Sequence, residues 1–379
     1  MNNNTIPTNT NSAPKATLIK LALDVHQRSY SVCRQVDNTR IQHAQKMEPE
    51  QFLLWLAKQK QLAERVVVCY ESGPFGFVLA RAVIAMGVEC IVMAAQQLDE
   101  RRKRVQTDDL DAQQIASRLD RYLAGNTKAL TVVKIPTLQQ EQQRSEGRQR
   151  GQLLKTRKQL EAQGRSLLVL NGYPRAQSHW WQDRLWKQGQ NVWPAAVVEM
   201  LERWRQVLLM VQEQLKTLTQ KLEDSAVQFQ PKSLPQLPIG VGALTWALVS
   251  REVIDWHRFK NRREVGSFTG LVASELSSGQ SQRQGHITKV GNPRLRHALV
   301  ELVWRLMVFQ PEYRVIKKWK PMLAQPSRSL RKKAVVAMAR ECGVDLWRLA
   351  TEQTTPEKLG LKVATSKPTA IKEYQLTQS

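Results

Sequence analysis

Leu18-Ile19-Lys20-Leu21-Ala22-Leu23-Asp24-Val25 is a short apolar run with a carboxylate near its end. Arg28 to Val36 follows with alternating polar and apolar residues, and Asp37-Asn38 then offers a turn. Apolar runs of this length bounded by turn residues are typical of β-strands, and two in succession favour a hairpin. The N-terminal part of the chain is therefore predicted to begin with paired strands, and Asp24 is expected where the first strand ends.

Helical and strand patterns alternate downstream of this hairpin. Helical spacing of apolar residues predicts helices, and compact Val-rich runs predict strands. In chain order these are a helix over Pro49 to Lys60, a strand over Arg65 to Tyr70, a helix over Phe75 to Met86, a strand over Val88 to Met93 and a helix over Asp108 to Leu123. The order β-β-(β)-α-β-α-β-α predicts an α/β domain with a mixed sheet.

The composition changes beyond Pro136. Gln, Arg, Lys and Glu with spaced Leu predict long helices over Leu138 to Leu170 and Val197 to Leu222, as in a coiled-coil arm. A Pro-rich boundary at 231–235 precedes a C-terminal region that is expected to be mainly α. We therefore expect a disordered tail over 1–16, the α/β domain over 17–135, the helical region over 136–230, the C-terminal domain over 231–350 and a second disordered tail over 351–379.

Tryptophans are concentrated between the two long helices, where they lie among Arg, Lys and Gln: Trp180, Trp181, Trp186 and Trp193. A small tryptophan-rich core between helices is the favoured interpretation. Stacking on nucleic-acid bases is the alternative, and the sequence leaves both open.

The chain is strongly basic. Its 379 residues include 57 Lys and Arg against 33 Asp and Glu, a net charge of +24, so the expected partner is a polyanion and first of all nucleic acid. A basic membrane binder would carry the same charge, but the mean hydropathy is −0.44 and no run of about 18 apolar residues occurs. We therefore expect a soluble protein without a membrane partner. Its four cysteines are far apart, as in a cytosolic protein with reduced thiols.

Four acidic residues stand out by their position: Asp24, Glu71, Asp108 and Asp111. The first two end predicted strands, where side chains converge at one edge of a sheet. The other two are three residues apart and share a helix face, whereas Asp109 points elsewhere, and Thr107 can cap that helix. Together they could hold two Mg²⁺ ions about 4 Å apart, the arrangement used for phosphodiester displacement. Each acid alone is as well explained by a strand end or a helix cap, so the prediction depends on the whole set.

Two features of the C-terminal region point to phosphate binding. Gly240 and Gly242 precede a helical run at Ala243 and would let backbone N–H groups approach a phosphate, as in a helix-hairpin-helix element, although a plain turn between packed helices explains them equally well. Basic residues outnumber Glu301 and Glu312 between 283 and 340, which favours a phosphate-tracking surface. They include Lys289, Arg294, Arg296, Arg305, Arg314, Lys317, Lys318, Lys320, Arg328, Arg331, Lys332, Lys333 and Arg340.

Two sets of motifs, in order, carry a resemblance to a known family. The first is Leu23-Asp24-Val25-His26, Tyr70-Glu71-Ser72-Gly73-Pro74 and Thr107-Asp108-Asp109-Leu110-Asp111-Ala112. The second is Leu237 to Gly242, Phe268-Thr269-Gly270-Leu271-Val272, Ser277-Ser278-Gly279 and Gly285 to Arg296. Over roughly Leu18 to Leu349 the chain resembles the DEDD transposases of insertion sequences.

The resemblance implies an RNase H-like (RuvC-like) N-terminal domain, and a C-terminal domain that bears a nucleophilic serine. Asp24, Glu71, Asp108 and Asp111 would bind Mg²⁺. Members of the family are recombinases guided by a noncoding bridge RNA that pairs with donor and target DNA. They assemble as homodimers that pair into tetramers, in which a partner's serine completes the acidic site. A bacterial, cytoplasmic and nucleoid-associated protein is expected.

The serine before glycine in Ser277-Ser278-Gly279 matches the family's nucleophile, so Ser278 is the predicted nucleophile and Ser277 the reserve. From the residues alone, a Ser-Ser-Gly turn is the simpler interpretation. A serine hydroxyl needs a base or a metal to activate it, and no histidine is adjacent to this one in sequence. Lys289, Arg294 and Arg296 follow and could neutralise a scissile phosphate, or contact the nucleic-acid backbone generally.

The leading prediction is thus a transposase that cuts and rejoins DNA by phosphoryl transfer. A RuvC-like nuclease that uses water would need the four acids but not Ser278. A noncatalytic nucleic-acid-binding protein would need none of these five residues.

Overall fold

The computed structural model describes residues 15–94, 107–278 and 281–363, and between 275 and 284 it describes backbone only. The chain divides into two compact units, Met1–Thr137 and Leu138–Ser379. The finer domain boundaries within the second unit stay predictions.

The first unit is built on a five-stranded sheet. Its elements are β1 (Ala16–Val25), β2 (Tyr30–Val36), β3 (Gln45–Met47), α1 (Pro49–Leu62), β4 (Ala63–Glu71), α2 (Val78–Ala85), β5 (Glu89–Met93) and α3 (Asp108–Leu123). The strand order is β3-β2-β1-β4-β5. β1 is antiparallel to β2 and parallel to β4, and β4 is parallel to β5. The predicted α/β domain with a mixed sheet is therefore confirmed.

Both faces of the sheet are covered, because successive residues of a strand point to opposite sides. Leu21 and Leu23 of β1 lie in a core with Phe52 of α1 and Val83 of α2. Ala22 lies in the other core, together with residues of β4 and with one side of α3. The face with Ala22 is the one that leads to the candidate site.

The second unit begins with two long helices, α4 (Leu138–Leu170) and α6 (Ala195–Asp224), joined through α5 (Asp183–Gln190). Polar pairs join the long helices in antiparallel register. Arg150 Nε donates to Thr219 Oγ1 at 2.8 Å, and Arg157 Nη1 donates to Gln212 Oε1 at 3.0 Å. Both helices have nearly the bounds predicted from the sequence.

The tryptophans at the end of this arm form a core. Trp180, Trp181 and Trp186 are buried, and the rings of Trp186 and Trp193 meet edge to face at 5.8 Å. The indole nitrogens of Trp180 and Trp181 donate to the backbone oxygen and the carboxylate of Glu161. Packing, rather than base stacking, thus accounts for the buried tryptophans.

A helical bundle completes the second unit. It contains α7 (Ala243–Val253), α8 (Arg262–Thr269), α9 (Pro293–Phe309), α10 (Arg314–Leu323) and α11 (Arg328–Ala350). α11 is buried on most sides, at residues such as Met338, Cys342 and Leu346. The hydroxyl of Tyr313 and the guanidinium of Arg314 bind the buried carboxylate of Asp345.

The C-terminal region is mainly helical, but it contains one hairpin that was not predicted: β6 (Ala273–Ser278) and β7 (Ser281–Ile287) are antiparallel between α8 and α9. One expectation for this unit needs correction. The predicted disordered tail from residue 351 is wrong as far as 363: α12 (Pro356–Leu359) is followed by a bridge between Val363 and Pro238, and Leu361 is buried. The short apolar segment after the last long helix was too weak a signal to predict this. The other tail residues, 1–14 and 364–379, lie outside the described residues.

A candidate acidic metal site and a serine-bearing hairpin

The sheet directs two of the predicted acids toward α3. Asp24 lies two residues after Ala22 on β1, and Glu71 lies two residues after Cys69 on β4. Because Ala22 and Cys69 belong to the core beneath α3, Asp24 and Glu71 point to the same face. β1 and β4 are adjacent and parallel, so their carboxyl ends bring both side chains to one edge.

The other two acids come from the first turn of α3. The helix begins at Asp108, with Thr107 in extended conformation at its N-cap, although the Thr107 side chain makes no capping hydrogen bond. Asp108 and Asp111 face the sheet edge, as their three-residue spacing predicts. The prediction that Asp109 points elsewhere is wrong: its Oδ1 accepts from the hydroxyl of Ser31 at 3.5 Å, and Ser31 is paired with Asp24 on the same face of the sheet.

His26 and Lys46 join this cluster without having been predicted. His26 Nε2 lies 3.1 Å from Asp24 Oδ2 and 3.4 Å from Asp108 Oδ1. Lys46 Nζ lies 3.2 Å from Asp108 Oδ2. The Asp24-Val25-His26 spacing was a usable signal, since residues two apart at a strand end share a face. Lys46 lies on the short β3, and its sequence neighbours give no sign of this contact.

The carboxylates interact electrostatically. Burial, then the charges of Asp24 and Asp111, raise the pKa of Glu71. Burial, then Asp24 and Asp108, likewise raise the pKa of Asp111. The hydrogen bond from Lys46 instead lowers the pKa of Asp108. These shifts mean that the ionised carboxylates repel each other, a repulsion that a bound cation would relieve.

The donor set fits a divalent ion. Asp111 Oδ1 is buried, yet it accepts no hydrogen bond from any residue that the structure describes. A buried carboxylate oxygen without a donor is costly unless something else satisfies it. Single ligand atoms of Asp24, His26 and Asp108 also lie within 4.8 Å of one another. Oxygen-rich clusters of this kind suit Mg²⁺ and Mn²⁺.

The two predicted serines lie at the tip of the β6–β7 hairpin. Ser277 pairs with Gln282 and Ser278 pairs with Ser281 at the end of the ladder. Gly279 lies outside the described residues. Ser278 is therefore the last residue of β6, at the end of the ladder.

The base of the hairpin is fixed by contacts between two of the motif-bearing segments, Phe268 to Val272 and Gly285 to Arg296. The backbone N–H of Asn292 donates to the Phe268 oxygen, and that of Thr288 to the Val272 oxygen, both at 2.8 Å. Gly270 and Gly291 have φ of +65° and +138°, and a Cβ on Gly291 would lie 2.5 Å from the Phe268 oxygen. Glycine is needed at position 291 because the Phe268 oxygen leaves no room for a Cβ and because residues with a side chain rarely adopt this positive φ.

The predicted phosphate ligands near the hairpin differ in their surroundings. Lys289 and Arg294 are exposed, and Lys289 has φ of +55°, which is uncommon for a residue with a side chain. Arg296 is partly buried, and its Nη1 donates to the backbone oxygens of Thr269 and Lys289. Arg296 therefore also has a structural role, which the sequence did not indicate.

Several other basic residues of the region are engaged within the protein. Arg314 binds Asp345, Lys317 binds Glu312 and Lys318 binds Glu341, and the half-buried Arg305 donates to Thr245. The cations that are exposed at the start of α11 are Arg328, Arg331, Lys332 and Lys333. Lys317 and Lys318 nevertheless stay more than half exposed, so the phosphate-tracking surface stays a prediction.

The predicted glycine element precedes α7. Gly240 has φ of +90°, and Gly242 is the N-cap residue, with no atom within 4 Å of the position of a Cβ. The start of α7 is therefore sterically open at Gly242, as phosphate approach requires. The residues before it form a short 3-10 helix at Ser225–Phe229 and then turns, so a helix-hairpin-helix arrangement stays a prediction.

A buried network links the arm to the segment after the hairpin. Glu252 of α7 accepts hydrogen bonds from Arg144, Arg148 and Asn292. Asn292 in turn caps α9, since its side chain accepts from the N–H groups of Arg294 and Leu295. Nothing in the sequence around Glu252 distinguishes it from a surface glutamate.

Within the described ranges, every helix is either too short or too polar to cross a membrane.

Comparison with known proteins identifies the family. Residues 234–317 match the model of the transposase IS116/IS110/IS902 family. A candidate transposase of Sinorhizobium fredii, y4qE, is 31% identical over 281 residues, which are 73% of this chain and 67% of that protein. The transposase for insertion sequence element IS1111A of Coxiella burnetii is 26% identical over 289 residues, 73% of this chain and 75% of that protein. The chain therefore belongs to the IS116/IS110/IS902 family of insertion-sequence transposases.

Proposed function

We propose that this transposase cuts and rejoins DNA by Mg²⁺-dependent phosphoryl transfer, with Asp24, Glu71, Asp108 and Asp111 as metal ligands and Ser278 as nucleophile. The acidic domain would be RuvC-like, an assignment supported by its five-stranded mixed sheet with acids at the ends of β1 and β4. The observation that carries the proposal is the convergence of four carboxylates, one of which has a buried oxygen that accepts from none of the described residues.

The raised pKa values of Glu71 and Asp111 support a cation site, because ionised carboxylates at close range are stable together only with a counterion. Two divalent ions bound there would stabilise the attacking and leaving oxygens of a phosphodiester. The protein's own part is to hold the carboxylates in place with β1, β4 and the first turn of α3.

Ser278 Oγ would bond to the scissile phosphorus while the bond from phosphorus to one deoxyribose oxygen breaks. That oxygen leaves as a hydroxyl after taking a proton, and the seryl proton passes to solvent. A hydroxyl of the second DNA then attacks the phosphoserine and releases Ser278, so the joined product forms without an energy-rich cofactor. Ser278 lies at the end of the β6–β7 ladder, and backbone hydrogen bonds hold the other end of this hairpin in place. This location supports the assignment of Ser278 as a nucleophile that can reach a DNA phosphate. Ser277 is the reserve.

The DNA would be gripped through its phosphates by Lys289, Arg294 and the exposed cations of α11, with Arg296 and the open helix start at Gly240 and Gly242 as further contacts. Sequence choice would then belong to a noncoding bridge RNA that pairs with donor and target. A homodimer that pairs into a tetramer would supply the serine of one protomer to the acidic site of another. The net charge of +24 suits a protein that binds both nucleic acids.

The test is denaturing gel analysis of the purified full chain with Mg²⁺, DNA carrying the ends of its element and the RNA that copurifies. The proposal predicts a covalent protein-DNA adduct that is lost in Ser278→Ala and in Asp24→Ala. RNase treatment should abolish the adduct on cognate DNA if RNA selects the site.

Matched controls are available for both substitutions. Glu89→Gln changes an exposed acid that pairs with Arg65 at the start of β5, at the opposite end of the parallel strands from the cluster, and Ser277→Ala changes the neighbouring serine. Both should keep the adduct. Cleavage without an adduct that survives Ser278→Ala would indicate a hydrolytic nuclease, and binding without any metal-dependent cleavage would indicate a noncatalytic protein.

A further inference from the structure

We propose that His26 is a direct ligand of a divalent ion at the acidic cluster, through Nε2, and that it gives the site a preference for Mn²⁺ over Mg²⁺. The proposal rests on the proposed function, since it names an additional ligand for the same ion. It differs from the all-carboxylate set predicted from the sequence.

The spacing of the ligand atoms supports this assignment. Neighbouring ligands of an octahedral ion with bonds of about 2.1 Å lie about 3 Å apart. His26 Nε2 lies 3.1 Å from Asp24 Oδ2 and 3.4 Å from Asp108 Oδ1. The three atoms thus have nearly the separation that ligands of a shared ion would require. Small side-chain rotations would bring them to bonding distance of one ion.

The backbone holds the imidazole at this edge of the sheet. His26 follows Asp24 by two residues and therefore stays on the same face as the strand ends. The backbone N–H of His26 donates to the backbone oxygen of Ser29 at 3.1 Å, within the turn that connects β1 and β2. The ring is half exposed, so water and ions can reach Nε2.

Asp108 is oriented for a shared role. Its Oδ2 is bound by Lys46 at 3.2 Å, and its Oδ1 faces His26. Lys46 therefore occupies the oxygen that lies away from His26, which leaves Oδ1 for an ion between Asp24 and His26. A nitrogen donor favours transition-metal ions over Mg²⁺, which takes oxygen ligands almost entirely.

The experiment uses Mn²⁺ alone as the probe on the full chain. Pulsed electron paramagnetic resonance of bound Mn²⁺ should contain ¹⁴N modulation from a coordinated imidazole, and the pattern should change when the histidines carry ¹⁵N. This reading on the unaltered protein needs no variant. His26→Gln should remove the modulation and weaken Mn²⁺ binding about tenfold or more, since the loss of even an outer-shell partner of a metal ligand costs about 10- to 100-fold in affinity, while Mg²⁺ binding changes much less.

His43→Gln is the matched control, because His43 is exposed in the same unit. It should keep the modulation and the Mn²⁺ affinity. Mn²⁺ bound without nitrogen modulation, or modulation that persists in His26→Gln, would overturn the proposal and leave the carboxylate site of the proposed function intact. No Mn²⁺ binding at all, with Asp24→Asn indistinguishable from the unaltered protein, would overturn the proposed function as well.

Discussion

The side-chain amide of Asn292 donates to Glu252 Oε2 at 2.7 Å, and the same carboxylate accepts from Arg144 and Arg148. Because Asn292 also caps α9, one buried glutamate connects the start of the long arm to the segment that closes the serine hairpin. Removing one partner of a buried, hydrogen-bonded ion pair is costly, because the other charged group stays buried without a counterion. The position of the hairpin base should therefore depend on Glu252.

Glu252→Gln should lower the free energy of unfolding by about 3 kcal/mol, the scale for removing one charge from a buried ion pair, because Arg144 and Arg148 lose their counterion. Urea unfolding followed by circular dichroism measures it. Glu199→Gln is the control, since Glu199 forms an exposed pair with Arg203 on α6 and should cost under about 1 kcal/mol. Equal effects of the two substitutions would contradict a structural role for the network.

The contribution of Glu252 should depend on pH. Burial would raise the pKa of Glu252, but hydrogen bonds from Arg148 and Asn292 outweigh burial and hold the pKa below its usual value of 4.5. The native state thus binds a proton less readily than the unfolded chain, so the stabilisation is complete above pH 4.5 and is lost as the pH falls through the lowered pKa. The difference in unfolding free energy between the unaltered protein and Glu252→Gln should shrink as the pH falls below 4.5. A constant difference from neutral to acid pH would exclude this linkage.

The acidic unit could be predicted almost entirely from its sequence, and the physical reason is local. Alternation in β1, the Val-rich β4 and the helical period of α3 fix which face each residue occupies, so the convergence of Asp24, Glu71, Asp108 and Asp111 follows from their spacing. The boundaries of α3 and α4 coincide with the predicted ones.

Contacts between distant segments could not be predicted in this way. Lys46 reaches Asp108 from β3, and Glu252 meets Arg144 across more than a hundred residues, and neither pair leaves a periodic signal. The hairpin of β6 and β7 was missed because its residues, Ser-Glu-Leu-Ser-Ser and Ser-Gln-Arg-Gln, are polar and have weak β propensity. The pairing of Arg314 with the buried Asp345 likewise left no sign in the composition.

Gly164→Ala should destabilise the arm by about 3 kcal/mol or more, because a Cβ at this position in α4 would overlap the ring of Trp180. Trp180 is buried and its indole is held by the Glu161 oxygen, so the ring cannot move aside. Gly151→Ala in the same helix is the control, because no atom lies within 4 Å of its Cβ position. That substitution should stabilise the protein by up to about 1 kcal/mol through helix propensity. Thermal unfolding of both variants distinguishes these effects by sign.

Asp111→Asn should raise the thermal stability of the metal-free protein while abolishing its response to metal. The substitution removes a charge that burial and the neighbouring Asp24 and Asp108 disfavour. In the unaltered protein, metal at about one hundred times its dissociation constant should add about 2.7 kcal/mol of stability. Differential scanning fluorimetry with and without Mg²⁺ measures both effects. Glu89→Gln, at the opposite end of the parallel strands, should retain the metal response, and an equal response in Asp111→Asn would remove Asp111 from the ligand set.

The exposed cations at the start of α11 should serve nucleic-acid binding at some cost to the helix. Arg328, Arg331 and Lys332 lie in or next to the first turn, where the helix dipole disfavours positive charge, so stability does not explain them. Replacing Arg331 and Lys332 together by Ala should leave stability unchanged or slightly higher. It should also reduce the slope of log affinity against log salt by about 0.9 for each duplex phosphate that the variant no longer neutralises. Fluorescence anisotropy with labelled DNA at several salt concentrations measures the slope. Lys317→Ala is the control, because Lys317 is paired with Glu312, and a slope that is the same in all three proteins would exclude phosphate binding at α11.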